Sequence, residues 1–171
     1  VEIMKALVVY ESLWGNTAAV ARAIAEGIGE SARVLSTAEA AGEDLDSVDL
    51  IVAGAPVFGF KLSSDRMREG IRAKPGKGPA PDLTCPTLRS WLDALPAGHG
   101  RSAAFDTQVR GPFGSGAPEI AKALEAAGYS RLTSPAGFIV KGRHGPLREG
   151  EIERAREWGA ELARSMASGS V

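Results

Sequence analysis

The sequence predicts an α/β fold, a three-layer doubly wound sandwich around a parallel sheet. Three observations carry this reading. Short apolar runs recur at Ile3–Tyr10, Asp49–Gly54 and Ser102–Phe105, and such runs need cover on both faces. Between them lie stretches with apolar residues three and four apart, the period of a helix with one buried face. Strand and helix alternate strictly, which requires parallel crossovers of right-handed sense. With 171 residues, 44% of them apolar and 24% charged, the expectation is one domain over residues 1–171 with a sizeable core.

Each element has its own signal. Ile3–Tyr10 is mostly aliphatic and reads as the first strand. From Thr17 the period becomes helical, with Val20, Ile24 and Ile28 four apart and Arg22, Glu26 and Glu30 on other faces. Ala32–Leu35 is a short strand with a weak signal, and Asp49–Gly54 is a clear buried one. About thirty residues rich in Gly, Pro and basic side chains follow. Within them "SSDRMREGIRA" predicts a short helix capped by Ser63 or Ser64. "TLRSWLDAL" places Leu88, Trp91, Leu92 and Leu95 on one helical face, starting near Pro86 and ending at Pro96-Ala97-Gly98. Ser102–Phe105 is the third buried strand and feeds the loop "DTQVRGPFGSG". A helix then opens at Ser115 or Gly116 and closes at Ala127, before Gly128 as terminator. "RLTSPAGFIV" is a strand interrupted at Pro135, which an edge position tolerates because proline lacks a ladder donor. The last helix, from Gly150 to about Ala167, repeats Ile152, Ala155, Gly159, Leu162, Ala163 and Met166 on one side.

Composition excludes several classes. No stretch approaches the ~20 apolar residues that span a bilayer, and the N-terminal stretch lacks the features of a secretory signal. Cys85 is the single cysteine, so no internal disulfide and no cysteine cluster for a metal is expected. A cytoplasmic location is the expectation, without nucleic-acid or membrane partners. Charge is uneven. Residues 1–54 carry three basic and nine acidic side chains, whereas 55–81 and 108–148 each carry six basic and two acidic ones.

In a doubly wound sheet, ligands sit beyond the carboxyl ends of the strands. The loops leaving the clear strands are 11–16, 55–62 and 106–116. The first, "SLWGNT", joins a buried strand to a helix N-terminus, whose unpaired N–H groups make a ready anion site. Ser12 and Thr17 add hydroxyls, Asn16 adds an amide, and Gly15 allows close backbone approach. There is no lysine, so the nucleoside triphosphate motif "GxxxxGK[ST]" is absent, and so is "GxGxxG". Neutral donors at Ser12, Leu13, Trp14, Gly15, Asn16 and Thr17 suit one terminal monophosphate. An ordinary capped helix, with Asn16 or Ser12 as cap, is the alternative.

The pattern from Val8 to Ile24 resembles the phosphate-loop motif of flavodoxin-like proteins: two aliphatics, an aromatic, Ser, two variable positions, Gly, any residue, Thr, then Ala and an aliphatic. The order of elements and the C-terminal "GEIERAREWGAELA" agree with it. The resemblance is to the short-chain form. It implies a five-stranded parallel sheet of order 2-1-3-4-5 with flavin mononucleotide (FMN) at its switch point. Two departures stand out. Trp14 replaces a common Thr or Ser, and is more similar to the loops of quinone reductases and of flavodoxin domains in oxygen-reducing flavoproteins. The Trp and Tyr that typically flank the flavin ring are missing at the matching positions.

The resemblance also implies roles for the other loops. Pro56, Val57, Phe58 and Gly59 would wall the ring, Phe58 first and Phe60 second, although either phenylalanine also suits plain packing. Asp106, Thr107, Gln108 and Gly111 belong to the second flavin loop, with Asp106 equally suited to capping that loop. Arg110 either faces the flavin edge or is solvated. His99 and His144 have no partners at metal-ligand spacing. Lys61, Arg66, Arg68, Lys141, Arg143 and Arg148 form the basic set expected near the flavin, suited to an acidic redox partner protein or a nicotinamide cofactor. Three readings follow: an FMN-binding electron carrier, an NAD(P)H-dependent FMN quinone reductase, and a flavin-free binding module of the same fold. The first two keep the flavin as the centre of chemistry, with no catalytic side chain assigned.

Overall fold

A computed structural model of the chain describes residues 3–58, 61–111 and 114–169. The elements run β1 (Ala6–Tyr10), α1 (Asn16–Ile28), β2 (Ala32–Ser36), α2 (Thr37–Ala40), β3 (Leu50–Phe58), β4 (Lys61–Leu62) and α3 (Asp65–Ala73). They continue as α4 (Leu88–Asp93), β5 (Arg101–Val109), α5 (Ala117–Ala126), β6 (Ser130–Arg131), β7 (Ala136–Val140) and α6 (Glu151–Ser168). The sheet follows β2-β1-β3-β5, all parallel, with β6 and β7 both pairing with β5 at its far edge.

Among the described residues the sheet has seven strands where five were expected. The edge strand breaks between Arg131 and Ala136, around Pro135, because proline cannot donate to the ladder. Its two pieces occupy one lane, so the expected order 2-1-3-4-5 holds with the fifth position divided. The seventh strand is β4, which turns back antiparallel on the end of β3.

β3 and β5 are also longer than their apolar runs. β3 continues four residues past Gly54, and β5 runs through Asp106, Thr107 and Gln108 to Val109. Pro56 pairs in register with Thr107 and Ala55 with Asp106. These polar positions stay in the ladder because their side chains find buried partners, which hydropathy cannot register. Segments 55–58 and 106–109 are therefore strand, where the sequence suggests loop.

Alternation of side chains along the strands builds two cores. Leu7, Val9, Ile51 and Ala53 face α4 and α5, packing on Leu88, Leu92, Ile120 and Leu124. Val8, Val52, Phe105 and Phe138 face α1 and α6, packing on Val20, Ile24, Ala155 and Leu162. The one short helix with no predicted counterpart, α2, carries a capping box: Ser36 accepts from the Glu39 N–H, and Glu39 accepts from the Ser36 N–H. That signal is visible in the sequence as "STAE".

Candidate functional site at the carboxyl ends of the strands

The turn after β1 is built as an open cradle. Gly15, at φ 92°, caps α1 in the left-handed region, which a side chain would strain. The Ser12 hydroxyl oxygen accepts from the N–H of Gly15 at 3.1 Å and of Ala18 at 3.3 Å, leaving its proton free to donate. The N–H groups of Asn16 and Thr17 meet no acceptor among the described residues. No acidic residue stands in the first turn of α1, so its positive end is uncompensated. Leu13 is buried, and its carbonyl anchors the N–H of Asp82 at 2.7 Å.

Thr17 is 2% exposed, and its hydroxyl lies 2.7 Å from that of Thr107. The pair holds two protons and uses one between its oxygens. When Thr107 donates, the Thr17 proton remains available to an anion. Thr107, expected at the ring edge, thus joins β5 to the first turn of α1. Asp106 is also wholly buried. It accepts from the N–H groups of Gly116 and Ala117 and from the Ser115 hydroxyl, at 2.9, 3.0 and 2.6 Å, so it ties β5 to the start of α5. Gln108 donates to the same carboxylate at 3.0 Å. Arg110 and Gly111 are exposed. Pro56 and Val57 are half-buried on opposite faces of β3, and a Cβ on Gly116 would lie 3.7 Å from Val57. The Phe58 backbone pairs with Lys61, whereas Gly59 and Phe60 lie outside the described residues.

Directly before the cradle lies a charge pair that sequence reasoning missed. Glu11 is 0% exposed, and its carboxylate accepts from Arg68 at 3.0 Å, from the Leu88 N–H at 2.8 Å and from the Ser63 hydroxyl. Arg68, 3% exposed, also donates to the Cys85 carbonyl. The pair cancels a negative charge that would otherwise sit just before the positive end of α1. The available signal was a glutamate immediately after a buried strand, in a turn with no other charge.

Trp14 turns toward two segments distant in sequence. Its Nε1 donates to the Pro79 carbonyl at 2.9 Å, its ring lies 4.8 Å from that of His144, and the Arg143 guanidinium stands 5.6 Å from its centroid. Asn16 lies against Gly145, where a Cβ would approach its amide to 2.6 Å. So segment 141–148 borders the cradle, bringing cations to a turn that has none of its own. The expected basic set is only partly available. Arg68 is buried with Glu11, and Arg148 pairs with Glu151 at 3.1 Å, while Lys61, Arg66, Lys141 and Arg143 are exposed. His99 is exposed, and no group of three or more His, Cys, Asp or Glu among the described residues is placed to hold a metal ion.

Residues 7–69 match the family model of the flavodoxin domain. Over 96% of this chain and 99% of the other, the structure superposes on a flavodoxin from the domain Archaea with TM-score 0.63 at 23% identity. The fold is flavodoxin-like. A flavodoxin, WrbA-like protein from Agrobacterium tumefaciens gives TM-score 0.59 at 17% identity over 97% of this chain and 99% of that one. The Flv1 flavodiiron core of Synechocystis sp. PCC6803 gives 0.61 at 15% identity, over 98% of this chain but 37% of that one. No curated protein matches the sequence. At these identities the superpositions establish the flavodoxin-like fold, and the family match adds the strand, turn and helix that form the cradle.

Proposed function

We propose that this flavodoxin-like chain holds FMN by its phosphate and works as a redox protein, exchanging electrons with a partner. The observation that carries the reading is the cradle itself: unengaged N–H groups on Asn16 and Thr17, a free Ser12 proton, and no net charge from the buried Glu11–Arg68 pair. Such an arrangement fits a phosphate monoester with neutral donors. Ser12, Gly15, Asn16 and Thr17 would hold the phosphate, and Pro56, Val57 and Gln108 lie on the strand ends beside it. Flavin supplies the reversible electron chemistry that these side chains lack.

A second reading, direct reduction by a nicotinamide donor with a quinone acceptor, is favoured by the exposed cations Lys61, Arg66, Lys141 and Arg143. One sample tests both. Protein reconstituted with FMN should bind it stoichiometrically and show the bands of oxidised flavin. Bleaching by NADPH without added reductase selects the second reading, and bleaching only with a reductase selects the first. Thr17→Ala should weaken FMN more than riboflavin, about tenfold for loss of one charge-assisted bond. Equal losses for the two ligands would remove the phosphate from this turn.

A further inference from the structure

We infer that Trp14 is a clasp: it holds segment 75–83 as a strap against the turn after β1, so that docking of the strap and occupation of the turn favour one another. Segment 75–83 is neither helix nor strand, and residues 75–80 are exposed. A stretch with so little packing of its own opens at small cost. What holds it is the turn. The Trp14 Nε1–H donates to the Pro79 carbonyl at 2.9 Å, and the Leu13 carbonyl accepts from the Asp82 N–H at 2.7 Å. Pro75, Pro79 and Pro81 narrow the backbone freedom of the undocked strap, which lowers the entropy that docking must overcome.

Segment 141–148 backs the clasp from the other side. It is a hairpin, in which the Lys141 N–H donates to the Pro146 carbonyl at 2.8 Å and the Arg148 N–H to the Ile139 carbonyl at 2.9 Å. Its tip sets the His144 ring 4.8 Å from that of Trp14 and the Arg143 guanidinium 5.6 Å from its centroid. The indole is thus engaged over its ring as well as at its nitrogen. Strap and hairpin also meet directly, since a Cβ on Gly78 would lie 2.8 Å from Cε1 of His144.

The coupling comes from shared backbone. Leu13 and Trp14 grip the strap in a turn that has Gly15 left-handed and the Asn16 and Thr17 N–H groups open. An anion that uses those N–H groups selects the same conformation of the turn. Two events that draw on one conformation reinforce each other reciprocally. The clasp rests on geometry alone, whereas its coupling to FMN rests on the flavin reading.

The test is amide hydrogen exchange on the full chain, followed by NMR without ligand, with saturating FMN and with riboflavin. The Asp82 N–H reports the docked strap, and the Val52 N–H, in the middle of β3, reports opening of the whole fold. Asp82 should be protected, but less than Val52 and with no response to low urea, the mark of a local opening. Trp14→Phe keeps a ring and removes the donor. It should lower Asp82 protection about fivefold, the worth of one hydrogen bond, with Val52 still protected as proof of folding. FMN should raise Asp82 protection at least about threefold, and riboflavin, which lacks the phosphate, should raise it less. Asp82 exchanging like an unstructured peptide, exchanging only as fast as Val52, or unchanged in Trp14→Phe would overturn the clasp. FMN that binds and leaves Asp82 exchange unchanged would overturn the coupling. A parent that takes up no FMN would remove the flavin reading, and the ligand-free comparison with Trp14→Phe would still decide the clasp.

Discussion

Glu11 shows how a single residue can set the charge beside the turn after β1 without lining that turn. Its carboxylate is wholly enclosed, and Arg68, Ser63 and the Leu88 N–H supply its partners from three separate segments. A buried pair of this kind contributes little net stability, because desolvation of both ions offsets their attraction. Removing one partner is different, since it leaves a charge in a dry site. Arg68→Met should therefore lower stability by about 3–5 kcal/mol, read by urea denaturation. Adding Glu11→Gln should recover much of that loss, because the orphaned charge disappears. If the double variant is as unstable as the sum of the singles, the two residues act independently and the charge argument fails.

At the scale of elements, α1 and α6 meet backbone to backbone. A Cβ on Gly159 would lie 2.1 Å from the Ile24 carbonyl oxygen, and one on Gly27 would lie 1.9 Å from that of Arg156. Glycine in a helix interior ordinarily costs ~1 kcal/mol relative to alanine. Here the steric term outweighs propensity, so Gly159→Ala should destabilise by roughly 1–3 kcal/mol. A thermal melt higher than the parent's would show that the helices simply move apart. The junction of β7 with α6 depends on charge instead. Burial works against ionised Glu151, but hydrogen bonds from Arg154, the Ile139 N–H and Arg148 prevail and hold its carboxyl at about 2. Because that value lies below the ordinary carboxylate range, the contribution to stability is full above the unfolded group's pKa and is lost as pH falls toward 2. Glu151→Gln should cost on the order of 2 kcal/mol at neutral pH. Its deficit should shrink below about pH 4, measured by denaturation across that range.

Over the whole molecule, the separated charge of the sequence becomes a local arrangement. Part of the basic charge is spent on buried or paired positions, Arg68 and Arg148, and part is carried by Arg143 beside Trp14. Ligand binding should register globally as well. A ligand held only by the folded state at about a hundred times its Kd adds about 2.7 kcal/mol. For a chain of this size that corresponds to a rise in Tm of roughly 5–10 °C. FMN should produce such a shift by calorimetry and riboflavin a smaller one. No shift with excess FMN would contradict the cradle as a phosphate site.

The layer order, the helix faces and the open turn between β1 and α1 were legible in the sequence, because each depends on local periodicity or on a short run of neighbours. Val20, Ile24 and Ile28 announce one face of α1 without reference to the rest of the chain, and "SLWGNT" announces a helix mouth. Much else was decided only in three dimensions. Asp106 and Thr107 read as loop, yet they are strand, since their partners at Gly116 and Thr17 lie ten and ninety residues away. Trp14 read as a departure in the turn, but its role is set by Pro79, Arg143 and His144. Polar side chains take their conformation from whichever partner satisfies them when buried, and that partner need not be near in sequence.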